Sequence, residues 1–165
     1  MQLLNDDVST GQVNKLEIIG KYVTFWIEDE LLGVNILDVK EVSPVMTITA
    51  ISHSAKEISG YVNIRGEIHL VVNLRYLFGL PYREIDNNCR IIIFKSSVSD
   101  PFGILVDKVG DVLEVNSDLI EPYKVDDPKK LNTNLITGVC KLDNHLLVIL
   151  DAHRLLKTGT ENTEN

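Results

Sequence analysis

Cysteine is scarce. Of 165 residues only Cys89 and Cys140 carry thiols, and neither has a CxxC partner. A disulfide framework or thiolate zinc site is therefore excluded, and two reduced thiols among apolar neighbours are expected. Trp26 is the single tryptophan, which leaves no series of stacking platforms for single-stranded nucleic acid. Cationic charge is also short: 16 Lys and Arg stand against 24 Asp and Glu, a formal net charge of −8. That balance opposes phosphate binding by counterion release and adsorption to anionic lipid. No apolar run approaches the roughly 18 residues of a membrane span, and the N-terminal residues lack the basic-then-apolar order of a secretory leader, so an intracellular protein without membrane insertion is expected. His53, His69, His145 and His153 show no HxxH or HxxxH spacing, and no metal site is expected. GxSxG, GxxxxGK[ST] and HExxH are all missing, so hydrolase and nucleotide chemistry have no motif to rest on.

Apolar residues make up 44% of the chain, as in a soluble globular domain. The run from Gly60 to Leu80 reads as two β-branched strands hinged at Arg65-Gly66 and closed by a short amphipathic turn. An echo runs from Gly138 to Leu156, with the same interval between the leading Gly and the polar residue before the last turn, Asn73 in one copy and Asp151 in the other. Leu32 to Val42 matches Phe102 to Val112 in apolar pattern. Two elements recurring in the same order indicate a duplicated β unit, packed as two subdomains and not as an open array. Because a barrel of roughly 60 residues buries only about 60% of its unfolded surface, the halves are expected to share an apolar seam.

Lys21 to Ile27 and Leu31 to Ile36 read as a hairpin around a solvated acidic turn, Glu28-Asp29-Glu30. Val45 to Ile51 reads as a further strand, and Ser52 to Glu57 as a loop with a short helical turn. Arg90 to Phe94, Phe102 to Val115, Leu135 to Leu142 and His145 to Leu150 supply the later strands, with Asp126 to Lys130 as a charged loop. Asn73 and Asp151 are placed to cap short helices, each cap being worth about 1 kcal/mol.

Gly60-Tyr61-Val62-Asn63-Ile64-Arg65-Gly66, followed by Val71-Val72-Asn73-Leu74-Arg75, resembles the G-(apolar)-x-N-(L/I)-R-G … (V/I)-D-L-R signature of the CheW family, the coupling proteins of bacterial chemotaxis. Asn35-Ile36-Leu37-Asp38-Val39-Lys40-Glu41-Val42 is similar to that family's D-I-L-x-V-x-E-(I/V) segment. Gly103 to Asp107 with Val109, Asp111 and Val112 is similar to its G-(I/L)-V-V-D-x-V-x-D-V stretch, and Leu135 to Val139 to its Y-(L/I)-x-G segment. Asn73 and Asn35 stand where the pattern has Asp, and the proline common before the cap is absent near His69-Leu70-Val71.

The resemblance implies a mainly β fold of two pseudo-repeated five-stranded SH3-like β-barrels with short helices. Residues 20–157 would form the CheW-like domain, divided into intertwined subdomains of approximately 36–85 and 20–35 plus 86–157. Residues 1–19 would be a partly flexible N-terminal segment and 158–165 a disordered tail. It further implies a non-enzymatic cytoplasmic adaptor, without cofactor, recruited to membrane receptor arrays. There it would couple chemoreceptor (methyl-accepting chemotaxis protein) cytoplasmic tips to the regulatory domain of the histidine kinase CheA, with ring assembly alongside CheA as a further expectation. A scaffold of the same fold in another receptor-kinase pathway, such as surface motility, is the alternative. A small hydrolase whose carboxylates converge only in space is a more distant one.

The receptor- or kinase-binding candidates carried by the matching motifs are Arg65, Val39, Glu41, Gly60, Ile36, Leu105 and Val106. Arg65 offers a rigid fork of donors at a strand end. Val39 and Glu41, two apart on an extended segment, would face the same side. Ile36, Leu105 and Val106 would line a groove between the barrels that receives a helix, and Gly60 would allow close backbone approach near the kinase contact.

Overall fold

The apolar runs of the chain are short, β-branched and cut by polar pairs such as Asp29-Glu30, Arg65-Gly66 and Asn87-Asn88, which favours strands over helices. The computed structural model describes residues 17–123 and 133–161. Its strands are β1 (Ile19–Ile27), β2 (Glu30–Asn35), β3 (Val39–Pro44), β4 (Ile58–Ile64), β5 (Glu67–Asn73), β6 (Arg90–Phe94), β7 (Phe102–Val106), β8 (Lys108–Asn116), β9 (Ile120–Glu121), β10 (Ile136–Lys141) and β11 (Leu146–Leu150). Two helices, α1 (Leu74–Leu77) and α2 (Ala152–Glu161), follow β5 and β11.

The strands form one sheet in the order β3-β6-β7-β5-β4 and another in the order β8-β1-β2-β11-β10-β9. The sequence repeat is a repeat of topology. Hairpin β4–β5 lies beside the parallel pair β5–β7, as hairpin β10–β11 lies beside the parallel pair β11–β2. Antiparallel β3–β6–β7 corresponds to antiparallel β8–β1–β2. Both sheets curl towards closure. Beyond β3, Thr49 exchanges two backbone hydrogen bonds of 2.9 Å with Tyr61 on the free side of β4. Beyond β8, a 3-10 turn capped by Asn116 leads into β9, which pairs with β10. The result is two SH3-like barrels, the second carrying the two-residue β9 as a sixth strand.

Strand alternation feeds three cores. On β6, Ile91 and Ile93 fill the first barrel with Val62, Ile64, Val71 and Leu105, while Ile92 and Phe94 face the seam between barrels. On β11, Leu147 and Ile149 fill the second barrel, while Val148 and Leu150 join the same seam. Phe25, Leu32, Val34, Phe102, Ile104 and Val106 join that seam, with Phe94 stacked on Phe102 at 4.8 Å between ring centroids. Strands buried on both faces need unbroken apolar runs, which is why Ile91-Ile92-Ile93-Phe94 does not alternate with polar residues. Each fully buried Ile, Leu or Phe contributes about 1.5–3 kcal/mol, and the seam collects the largest set.

The two expected caps form. Asn73 Oδ1 accepts from the Arg75 amide at 3.0 Å and Asp151 Oδ1 from the His153 amide at 2.9 Å. Cys89 and Cys140 are free and buried, in the first and second barrel cores respectively. Burial pushes both thiols above their ordinary pKa.

Several boundaries differ from the sequence expectation. β6 and β7 pair inside the first sheet, so the chain enters the second barrel for the last time only after Val106, and not at residue 86. Val45 to Ile51 is not a strand. Pro44 has no N–H to continue the ladder, and beyond it only Thr49 bridges, while Val45 and Ile48 dip into the first barrel core. Residues 52–57 form turns without a helix. The disordered tail expected from 158 does not begin there, since the helix after Asp151 runs from Ala152 through Glu161, anchored by buried Leu155 and Leu156. Residues 1–16, the charged loop at 126–130 and the last four positions lie outside the described residues.

Gly60 sits at φ 141°, where an added Cβ would lie 2.1 Å from the Thr49 carbonyl oxygen. Gly66, at φ 85°, has nothing within 4 Å of that position. Gly60→Ala is therefore expected to lower unfolding free energy by about 3 kcal/mol or more and Gly66→Ala by about 1 kcal/mol, measured by urea titration. Equal losses for the two would contradict the Thr49 contact.

Candidate functional site

The β4–β5 hairpin closes through Arg65 and Gly66, both at positive φ (51° and 85°), between the paired residues Ile64 and Glu67. Two left-handed residues make a type I′ turn, which matches the twist of the flanking strands. Asn63 Oδ1 accepts the Gly66 amide at 2.8 Å and fixes the corner. The Arg65 guanidinium then reaches β3, with Nη1 2.6 Å from Glu41 Oε1 and Nη2 2.9 Å from Glu41 Oε2. This is the two-pronged geometry that a planar fork offers a carboxylate. The hydrogen bond from Arg65 holds the Glu41 carboxyl below its ordinary pKa against a smaller desolvation effect, with Arg65, Lys40 and His69 adding to the lowering through their charge. The Arg65 side chain is 73% exposed and that of Glu41 25%. An exposed pair of this kind contributes little to stability, so its ordered geometry is better suited to presenting a surface. Glu67 extends the pattern, 3.8 Å from Lys40 Nζ and 3.3 Å from Nε2 of the buried His69.

Arg65 and Glu41 are thus brought together, and Val39 is not brought to them. A bulge pairs Val39 with Phe94 but Glu41 with Ile93. Since Phe94 faces the seam and Ile93 the first barrel interior, the two β3 residues point to opposite faces. The same-side expectation fails because one inserted residue cancels a period-2 step. Val39 is half-buried against the seam, as is Ile36. Leu105 and Val106 are buried, Leu105 inside the first barrel and Val106 in the seam. Neither lines a groove. Gly60 serves the Thr49 crossing described above.

Leu37 is not among the residues that the matching motifs single out. It lies in a 3-10 turn (Ile36–Asp38) joining β2 of one barrel to β3 of the other, and Asn35 Oδ1 caps that turn by accepting the Leu37 amide at 2.9 Å. Leu37 is 71% exposed, a large apolar side chain held on a fixed turn. An apolar residue inside the D-I-L-like segment, just beyond the Leu31 to Ile36 run, is the available signal.

An apolar cleft of about 480 Å³ lies where the barrels meet. One wall comes from the β1–β2 turn with Ile27 and Leu32, and the other from Phe78 and Leu80 beyond α1; Ile136 and Val148 line it further. The acidic triplet lies at this cleft and is not merely a solvated loop. Glu28 pairs with Arg75, and its amide donates to Asp107 Oδ2 at 2.9 Å. Arg75 Nη1 and Arg83 Nη1 reach the same oxygen at 2.8 and 3.0 Å. Arg75 and Asp107 are buried, so their pairing satisfies charges that would otherwise be stranded in an apolar setting. Sequence alone did not show that these residues meet, because they lie on α1 and on the β7–β8 joint.

Among the described residues no group of three His, Cys, Asp or Glu is placed to hold a metal, and no helix is long and apolar enough to cross a membrane. A family model described as the CheW-like domain matches residues 21–159. The chain belongs to the CheW family. The chemotaxis protein CheW of Klebsiella aerogenes is 30% identical over 149 residues, covering 88% of this chain and 89% of its own length. That of Bacillus subtilis is 29% identical over 136 residues, covering 82% and 86%. Among solved structures, the scaffolding protein TtCheW from Thermoanaerobacter tengcongensis superposes with a TM-score of 0.75 at 32% identity, covering 84% of this chain and 92% of its own. CheW membership makes this a chemotaxis coupling and scaffold protein, not an enzyme. The CheW-like motifs map onto definite parts of the fold: the R-G pair forms the β4–β5 turn, and the L-R pair opens α1.

In a site-resolved NMR titration, Glu41 is expected to titrate below the ordinary glutamate range, and Arg65→Ala should return it towards that range. A carboxyl with a lowered folded-state pKa stabilises above its unfolded value and loses that contribution as pH falls through the folded value. The ion pair is therefore intact at neutral pH and dissolves only in acid. An unchanged midpoint in Arg65→Ala would show that the fork is not held in solution.

Proposed function

We propose that this CheW-family chain acts in the cytoplasm as an adaptor that couples chemoreceptor cytoplasmic tips to the regulatory domain of the CheA kinase. The observation that carries this reading is the presence of two distinct surfaces on one double barrel. One is the charged corner of Arg65 and Glu41, and the exposed Leu37 lies on the turn that leads into β3, the strand carrying Glu41. The other is the apolar cleft with its acidic lip. A cleft of that kind suits the apolar stripe of a receptor helix, the helix-in-groove mode of recognition. An ordered charged pair, with an exposed Leu37 on the turn that leads into the same strand, suits a globular domain that offers both apolar and polar contacts.

The mechanism is linkage without covalent chemistry. A scaffold bound to both partners transmits receptor state to the kinase only if its contacts differ in strength between the on and off states, and the coupling is then reciprocal. Recruitment to membrane receptor arrays would follow from receptor binding, since no helix among the described residues is long and apolar enough to cross a membrane.

A two-partner titration tests the proposal, with the CheA regulatory domain added first and a receptor hairpin fragment second. Both should bind the same molecule. Arg65→Glu and Leu37→Asp are each expected to weaken one of the two bindings about tenfold, or 1.4 kcal/mol, with the melting temperature unchanged. Val39→Asp tests something different: Val39 is half-buried against the seam, and a charge there is expected to cost about 2 kcal/mol in folding stability. Failure of both partners to bind the wild-type protein would assign the fold to another receptor-kinase pathway.

A further inference from the structure

The chain passes between barrels at two short joints. One is the Ile36–Asp38 turn between β2 and β3, and the other is the single residue Asp107 between β7 and β8. The seam that holds the barrels together is apolar, and apolar attraction is non-directional, so by itself it leaves their relative angle weakly defined. Directional contacts are concentrated at the second joint. Asp107 Oδ2 accepts from Arg75 Nη1 at 2.8 Å, Arg83 Nη1 at 3.0 Å and the Glu28 amide at 2.9 Å. Arg75 in turn bonds the Glu28 carboxylate with Nη2 and the Pro81 carbonyl with Nε at 3.2 Å, while its own carbonyl accepts the Leu80 amide at 2.9 Å.

Those contacts bridge the two walls of the cleft. Glu28 belongs to the wall supplied by the second barrel, and the Phe78 to Pro81 segment to the wall supplied by the first. Arg75 holds both and also holds the joint. We propose that Arg75 is a positioning residue whose guanidinium, anchored on Asp107, sets the spacing of the two cleft walls and thereby pre-forms the cleft. The side chains of Arg75 and Asp107 are only 6% and 7% exposed. A buried, multiply hydrogen-bonded ion pair adds little net stability against an apolar replacement but does impose geometry, which fits a part that defines an angle. Lysine would not substitute, since an ammonium cannot span Glu28, Asp107 and Pro81 in one plane. The value of a pre-formed cleft for a helical partner rests on the adaptor reading above, whereas the spacing itself is a property of the free protein.

The test measures barrel orientation by residual dipolar couplings on the full chain, comparing wild type with Arg75→Gln and Glu28→Asn. Asn tolerates the left-handed backbone of Glu28 at φ 53° and is too short to reach Arg75. Wild-type couplings should fit one fixed orientation of the two barrels. Both variants should keep the internal couplings of each barrel and require a changed or averaged angle between them, with receptor-fragment affinity about tenfold lower. Arg75→Lys should not restore the angle. If Arg75→Gln fails to fold, Glu28→Asn alone decides. Wild-type orientation in Glu28→Asn would overturn the proposal whatever binds. Failure of the receptor fragment to bind wild type would remove the docking role of the cleft and still leave the orientation result to decide the role of Arg75.

Discussion

The rest of the structure depends on the seam, where strands from both barrels turn alternate residues away from their own interiors and towards each other. Phe25, Leu32 and Val34 from one sheet meet Ile92, Phe102 and Ile104 from the other, all nearly solvent-free. Either barrel without this layer would keep only a small private core, such as Leu31, Val115, Cys140, Leu147 and Ile149 in the second. That is too little for independent stability in so short a chain. Two small barrels thus behave as one domain.

Onto that non-directional layer the chain adds charge at only a few places, each with a definite geometry. At the outer corner the Arg65–Glu41 fork stands in solvent, where it contributes little energy and presents an ordered pair of opposite charges. At the inner joint Arg75 and Asp107 are enclosed, and their partners come from both barrels. The same pairing chemistry gives recognition when it is exposed and geometry when it is buried, and the local accessibility decides which.

Much of the fold could be read from the residues. The duplicated Gly60 and Gly138 segments, the matching Leu32 and Phe102 segments and the caps at Asn73 and Asp151 all depend on local pattern, and each reappears in the topology. Arg65 and Glu41 came from motif resemblance, and the structure joins them. What failed required register or long-range information. One bulge at β3 parted Val39 from Glu41, and burial on both strand faces turned Leu105 and Val106 from groove candidates into core. β6 and β7 went to the other barrel because partner choice among equally apolar strands is set by crossover geometry, which composition does not record. The Arg75–Asp107–Glu28 cluster was invisible for the same reason, its members being brought together only by the crossing of the barrels.

The interleaving of the sheets also constrains the order in which the two barrels can close during synthesis. β1 and β2 precede every other strand, yet their neighbours in the sheet, β8 and β11, follow only after all the strands of the first barrel. Once Val106 has left the ribosome the first barrel has all its strands, while the leading hairpin still shows bare ladder edges on both sides. Unpaired edges of that kind invite pairing with other chains, and non-local closure is slow. Until β8 and β11 emerge, the nascent chain therefore carries an apolar hairpin in need of cover, and the half-built seam of the first barrel is the nearest surface that can shelter it.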